Sequence, residues 1–537
     1  MRNNVQLHPH QNTGRTAIIL SFFAGLLAIL CLMICGCGES GSILKVEDQD
    51  VLQNDAMLKV HASGPSISLM PSGDATQDTE NLRAAILDPV MNSGGTLYLG
   101  PGTFYVHGGL VRQSFDEDLQ GYCADLFVGT IKGSGKGVTT IKAVRGPGDA
   151  PFETFLDLPA IFMVWDFDYF GIRDLSFESE SGPADQWEFP GLPATNGLLS
   201  YVNLGSGIYG LGGQLGTDCI NVQFKGSLNS EGMPEIPLMW ECYGGGAGVH
   251  NMKSCDFIDG NFVMMDYGAL EGATINIGGK PADKNTYTNT TEAQVYAINA
   301  YGVGDCNINI SRVEINNSAG FGFWADENNV MCSLSFKNNT INMIPDSWFA
   351  GVELWVEPEK GEISAVISNN NIHSDDSFLF GPIFTEGVRD VLIANNKITG
   401  RGSAAIHLGV LEQWPGSATL IGNNLQQWEN TGVNPWGFTA APIWLGSYVT
   451  NSVVVGGNNK VNIFDEPGYD WDDNPLPPDA NGNAQTYDDK SVRENVVPKN
   501  NSFTGVNNMY IKVSHSVKNA MRQKHEAKLA MMSHRVR

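Results

Sequence analysis

Residues 351–357 read GVELWVE. In an extended segment successive side chains take opposite faces. Val352, Leu354 and Val356 therefore share one face, and Glu353, Trp355 and Glu357 the other. Carboxyl groups move protons or bond hydroxyls, and an indole stacks on the apolar face of a sugar ring, so this pattern suits work on carbohydrate. Related segments follow the same alternation: FGFWADE (321–327), GPIFTEG (381–387), AAIHLGV (404–410) and APIWLGS (441–447). Aligning Phe323, Val352, Ile383, Ile406 and Ile443 as the inward row gives an outward row of Trp324, Glu353, Phe384, His407 and Trp444. The next outward row is Asp326, Trp355, Glu386, Gly409 and Gly446.

In this alignment Glu353 and Glu386 lie one strand apart and two residues along, a diagonal of roughly 8 Å between Cβ atoms. Inverting glycosidases hold their two carboxyl groups about 6.5–9.5 Å apart to admit water, whereas retaining enzymes need about 5–5.5 Å. The candidate catalytic residues are therefore Glu353 and Glu386, then Asp326 on the opposite diagonal and His407 as a base or hydroxyl partner. Trp355 between them is placed to raise a carboxyl pKa by apolar contact. Trp324, Trp355, Phe384 and Trp444 are the candidate substrate-binding platform, on an exposed groove wall. The competing expectation is that a loop, for example 414–444, covers these aromatics as a second small core and leaves the acids as ordinary polar groups. No outward Arg or Lys joins the stripe, since Lys337, Arg389, Lys397 and Arg401 fall near turns. That weighs against chemistry needing a cationic base.

A periodic element must position these rows. The pairs Asn338-Asn339, Asn369-Asn370, Asn395-Asn396, Asn423-Asn424 and Asn458-Asn459 recur at steps of 31, 26, 28 and 35 residues. Apolar alternation precedes each pair, and Ile341, Ile372, Ile398 and Val461 follow three residues after the first Asn, with Gln426 the exception. Short strands repeated at this period with Asn turns predict an all-β, single-stranded parallel β-helix. A propeller blade needs about 40–45 residues and four strands. Like residues then stack at roughly 4.8 Å, and Asn pairs bond along the axis. Cys306 and Cys332 occupy one coil position and are expected to be neighbours, as a disulfide or as two thiols.

The stretch GDATQDTENLRAAILDPVMNSGGTLYLGPGTFYV (73–106) and the later IKGSGKGVTTI (131–141) carry a family resemblance. They resemble the opening of pectate-lyase-like right-handed β-helix proteins, the rhamnogalacturonase/epimerase-like branch especially. The resemblance implies a right-handed solenoid whose open end is capped by a short N-terminal helix. That fold hosts hydrolases, lyases, epimerases and binders. Asp375-Asp376 are similar to the paired aspartates of polygalacturonases, but the accompanying N-T-D, G-H-G and R-I-K signatures are absent, so those roles are not carried over.

The ends differ from the repeat. Arg2 and Arg15 precede the apolar run 17–34, and Ile34-Cys35-Gly36-Cys37 resembles a bacterial lipobox, which implies lipidation of Cys37. A transmembrane anchor is the alternative for this run. The predicted divisions are a signal peptide (1–36), a tether (37–60), the β-helix (61–465), an acidic Pro/Gly/Asn-rich loop or exit segment (466–507) and a basic tail (508–537) with three alternatives: a helical cap on the final turn, a partner for the acidic body, or disorder. Residues 1–36 hold two Arg and no acid, so the net charge deepens from −26 to −28 without them. Such a surface disfavours nucleic acid and leaves the lipid as the membrane contact. It favours neutral polysaccharides or acidic ones bridged by Ca²⁺. No metal site or bound cofactor is expected, although oxygen-rich DANGN (479–483) keeps Ca²⁺ open. The sequence leaves the oligomeric state open. Together these features point to an exported, lipid-anchored polysaccharide hydrolase of the bacterial envelope, with the outer membrane as the expected site of attachment. The alternatives are a non-enzymatic glycan-binding or structural lipoprotein, then a lyase or epimerase.

Overall fold

A computed structural model describes residues 64–465 and 502–512, apart from the stretches 108–109, 113–114, 117–120, 123–126, 145–153, 156–157, 166, 180–199, 207–215, 227–234, 243–247, 267–271, 289–295, 302–305, 326–329, 346–348, 358–360, 378–380, 403, 410–415, 431–441 and 446–452. Each turn of the chain supplies three short strands, and each strand pairs in parallel with its counterpart one turn later. One such turn runs Cys306–Ser311, Val313–Asn316 and Ala319–Ala325. The next runs Val330–Lys337, Thr340–Asn342 and Val352–Val356. These stacked turns form a right-handed parallel β-helix with three sheets, here called first, second and third in that order.

Alternation decides which side chains fill the interior. Ile308, Leu334 and Ala365 share one inward row of the first sheet, and Ile315, Ile341 and Ile372 one of the second. Near the start of the solenoid, Phe177, Phe224, Phe257 and Tyr287 stack at centroid distances of 5.4, 4.9 and 4.6 Å. Stacking like on like recovers apolar burial and dispersion contact with every added turn.

The Asn pairs do two different jobs at the turn between the first and second sheets. The first members, Asn338, Asn369 and Asn395, take positive φ of 59°, 56° and 54°. Asn tolerates that left-handed backbone better than most residues. The second members Asn339, Asn370 and Asn396, joined by Asn423, the first member of its own pair, which follows a positive-φ Gly422, build an axial ladder. Asn339 N–H donates to Asn370 Oδ1 (2.9 Å), Asn370 N–H to Asn396 Oδ1 (3.0 Å), and Asn396 N–H to Asn423 Oδ1 (3.0 Å). Their amide nitrogens donate back to Ile310, Phe336, Ile367 and Ile393 carbonyls. Buried backbone groups at a tight corner are thereby satisfied.

The helix Ala75–Leu87 lies against the first turn, as the resemblance implies. Asp74 caps it by accepting from Gln77 N–H (2.9 Å), and Leu82 and Ile86 enter the core. Buried Asp78 accepts from Ser72 N–H and Tyr105 N–H, tying the helix to neighbouring chain. At the other end, Ser502–Lys512 pairs in parallel with Val453–Asp465. Strand pairing thus runs past residue 465, the expected end of the solenoid, and takes in residues 508–512 of the basic tail, for which a helical cap is one of the expectations. A strand suits that stretch because edge pairing satisfies backbone groups that a lone helix end would leave open. Residues 1–63, with Cys37 and the expected signal peptide, and most of the acidic segment and basic tail lie outside the described residues.

Candidate functional site

The third sheet holds the residues singled out in the sequence. Its pairing sets Phe321 beside Val352, Gly322 beside Glu353, Phe323 beside Leu354 and Trp324 beside Trp355. Val352, Glu353 and Trp355 then face Ile383, Phe384 and Glu386, and Phe384 faces His407, which faces Trp444. From Glu353 onward this is the expected alignment, including the diagonal between Glu353 and Glu386. The first strand is displaced by two residues. A two-residue slip keeps every side chain on its own face, so the apolar pattern alone does not detect it. Phe321 and Phe323 both enter the core, and either satisfies the inward row. Gly322 therefore takes the place expected for Trp324, and Trp324 stands beside Trp355 instead. Asp326 lies outside the described residues.

Trp324, Trp355, Phe384, His407 and Trp444 form one continuous stack on the sheet face opposite the core. Trp324 and Trp355 lie 5.7 Å apart at 21°, and Trp355 and Phe384 lie 6.0 Å apart at 13°. Phe384 to His407 is 6.3 Å, and His407 to Trp444 is 4.8 Å. The sequence reading brought these rings together on the outward face. Its expectation of an exposed groove wall is corrected: Trp355 is the most open of them, at 5% exposure, and Glu353 and Glu386 are at 0%. The physical reason is that so large an aromatic surface left in water would forgo apolar burial.

Tyr296 and Phe349 supply part of the cover. Their rings meet edge to face at 5.1 Å, and the Tyr296 hydroxyl donates to Glu353 Oε2. Tyr296 also explains Gly322. A Cβ there would lie 2.5 Å from the tyrosine ring, so only glycine admits the ring at this level. Sequence reasoning missed both residues. Tyr296 precedes the repeat of Asn pairs, and the signal that pointed to it was the bare Gly322 between two inward Phe residues.

The electrostatics follow from burial. His407 is packed between Phe384 and Trp444, and loss of water lowers its pKa from 6.5 to about 3. The imidazole is thus neutral near pH 7, and Nε2 meets no hydrogen-bond partner among the described residues. A neutral imidazole with an unsatisfied ring nitrogen is suited to meeting a hydroxyl, and its lowered basicity weakens a role in taking protons. Glu353 and Glu386 bring two carboxyl groups to one water-poor layer, where charge costs most.

A second polar cluster stands on the outward face of the first sheet. Asp218 Oδ2 accepts from Arg173 Nη2 (2.5 Å) and from the Tyr169 hydroxyl (2.9 Å), and Oδ1 accepts from Asn251 (2.9 Å). Asn276 and Asn309 continue the chain at 3.1 Å each. Burial, with Asp218 beside it, pushes the Tyr169 phenol well up. Both oxygens of Asp218 are already engaged, which suits structural cross-linking between turns. Among the described residues no cluster of three or more His, Cys, Asp or Glu is placed to hold a metal.

No family model matches the chain, and no curated protein matches it. Among solved structures, it is similar to the A-module of mannuronan C-5 epimerase AlgE6 of Azotobacter vinelandii, at 14% identity and a TM-score of 0.26, over 66% of this chain and 94% of that one. The A-module of mannuronan C-5 epimerase AlgE4 of the same organism gives 13% identity and a TM-score of 0.32, over 66% and 91%. The Agl-KA catalytic domain gives 15% and 0.29, over 69% and 67%. At these identities and scores no residue role passes from them to this chain.

Proposed function

We propose that this chain is a polysaccharide-acting protein whose site is the aromatic and carboxyl layer on the third sheet, with hydrolysis as its reaction. The supporting observation is the co-burial of Glu353 and Glu386 beside the Trp324–Trp355–Phe384 stack, away from the solenoid core. A purely structural layer gains nothing from two carboxyl groups that lose their water. In this reading the cover opens to admit glycan, the rings stack on sugar faces, and one carboxyl protonates the leaving oxygen while the other activates water across the diagonal. Tyr296, bonded to Glu353, orients that carboxyl. His407 Nε2 meets a sugar hydroxyl. Export through residues 1–36 and lipid attachment at Cys37 would place the protein on the bacterial envelope.

A second reading is favoured by the near-complete burial of the layer: a glycan-binding or envelope-structural protein in which the stack is a second core. Purified residues 38–537, tested on a polysaccharide panel with reducing-end and ultraviolet readouts, separate the two. New reducing ends that vanish in the Glu353→Gln, Glu386→Gln double variant support hydrolysis. Ultraviolet absorption from a new double bond indicates a lyase, and altered sugar stereochemistry an epimerase. Retained binding with no product from any polysaccharide supports the second reading.

A further inference from the structure

Two pairs of cysteines from successive turns stand on or beside the first sheet, with Cys255 at the corner that follows the strand Val249–Lys253. Cys306 and Cys332 are directly opposed in parallel register, with Sγ atoms 3.7 Å apart. Cys219 and Cys255 bring their sulfurs to 3.6 Å from a diagonal. All four are thiols. The pairs differ in their surroundings. Cys306 and Cys332 line a surface pocket of about 370 Å³, together with Ser333, Glu362, Arg389 and Asp390. All four are buried among core side chains, at 2% and 0% exposure for Cys219 and Cys255 and 4% and 5% for Cys306 and Cys332, and burial beside Cys255 pushes the Cys219 thiol well up.

We propose that Cys306 and Cys332 are a covalent exchange site for low-molecular-weight disulfides, reached through this pocket and converted there to a cross-turn disulfide. Adjacent parallel strands lie about 4.8 Å apart. That falls within the usual 4.4–6.8 Å Cα separation of a disulfide, so the sulfurs need only close from 3.7 Å to about 2.05 Å. One thiol gives up its proton to solvent and, as thiolate, attacks a sulfur of the incoming disulfide, expelling one small thiolate. The second thiol, likewise deprotonated, attacks the mixed disulfide, forms the Cys306–Cys332 bond and expels the other small thiolate. Two protein thiols are oxidised, and one small disulfide is reduced to two small thiols. The pocket holds a partly exposed Arg389–Glu362 ion pair at 3.1 Å, so charged groups line the approach for a polar disulfide. The Cys219–Cys255 pair has a similar sulfur spacing, 3.6 Å, with deeper burial, and serves as the internal control.

The test treats the folded full chain with glutathione disulfide, alkylates remaining thiols with iodoacetamide, and maps peptides by mass spectrometry. The expected result is a Cys306–Cys332 crosslink that dithiothreitol reverses, forming at least about tenfold faster than any Cys219–Cys255 link. In the Cys306→Ser and Cys332→Ser variants the crosslink is lost, and the thiol that makes the first attack keeps a glutathione adduct. Three results overturn the proposal. Both thiols remain alkylatable after treatment, one keeps a glutathione adduct in the native chain while the other stays a thiol, or the Cys219–Cys255 pair links as fast as the pocket pair.

Discussion

Two buried ladders run along this solenoid, and they treat polar groups in opposite ways. At the turn between the first and second sheets, Asn339, Asn370 and Asn396 each accept a backbone N–H and donate to a backbone carbonyl. On the third sheet, the stack from Trp324 to Trp444 shares its layer with Glu353, Glu386 and a neutral His407 whose Nε2 meets no partner among the described residues. The first ladder repeats one residue type and closes every bond it opens. The second mixes Trp, Phe and His along its length and retains groups that are costly to bury. Repetition with full satisfaction marks scaffold, whereas costly variety on the same scaffold marks a candidate site.

Substitutions in the two ladders should therefore separate activity from stability. The largest effect is expected for Glu353→Gln or Glu386→Gln, which should lower turnover by about 10²–10⁴-fold while leaving the melting transition in place. Steady-state kinetics beside thermal unfolding checks this, and unchanged turnover would make the two ladders alike. Asn370→Ala should act the other way. It strips partners from the Asn339 N–H and the Phe336 carbonyl, at about 2–4 kcal/mol of stability, with turnover per folded molecule kept. Denaturant unfolding measures that loss. Gly322→Ala links the two properties, since its Cβ displaces the Tyr296 ring and, with it, the hydroxyl on Glu353. A cost of about 1–3 kcal/mol together with reduced turnover is expected.

The last effect is graded by pH and is small near neutrality. The folded pKa of His407 is lowered to about 3 against 6.5 for the free group, so below 6.5 the unfolded chain binds a proton that the folded one does not. Stability is therefore lost as pH falls from 6.5 toward 3, at roughly 1.4 kcal/mol per unit from this group. His407→Phe, which keeps a ring between Phe384 and Trp444, should remove that slope. Unfolding curves of both proteins from pH 7 to pH 4 report it, and parallel curves would show that His407 is not held neutral.

The solenoid was legible because its cause is periodic. Asn338 and Asn339 announce a corner, the flanking alternation announces strands, and the same spacing brought Cys306 next to Cys332. Most of the site was legible for the same reason, since parity alone sends Glu353, Phe384 and His407 to one face. Register was not fully legible. Phe321 and Phe323 are interchangeable to an apolar rule, and only the three-dimensional fit of Tyr296 over Gly322 separates them. Burial was not legible either, because alternation distinguishes the two faces of a strand but does not say whether the outer one meets water or a cover. Tyr296 and Phe349 come from different turns and share no spacing that ties them to Glu353.

The most direct test is a crystal structure of the Glu386→Gln protein with an oligosaccharide cut from a polysaccharide that binds it. The predicted result is a sugar ring against Trp355, the Tyr296–Phe349 cover displaced, and the Glu353 carboxyl within hydrogen-bond reach of the glycan. A sugar bound elsewhere on the solenoid, with the cover still closed over Glu353, would contradict the assignment of the site.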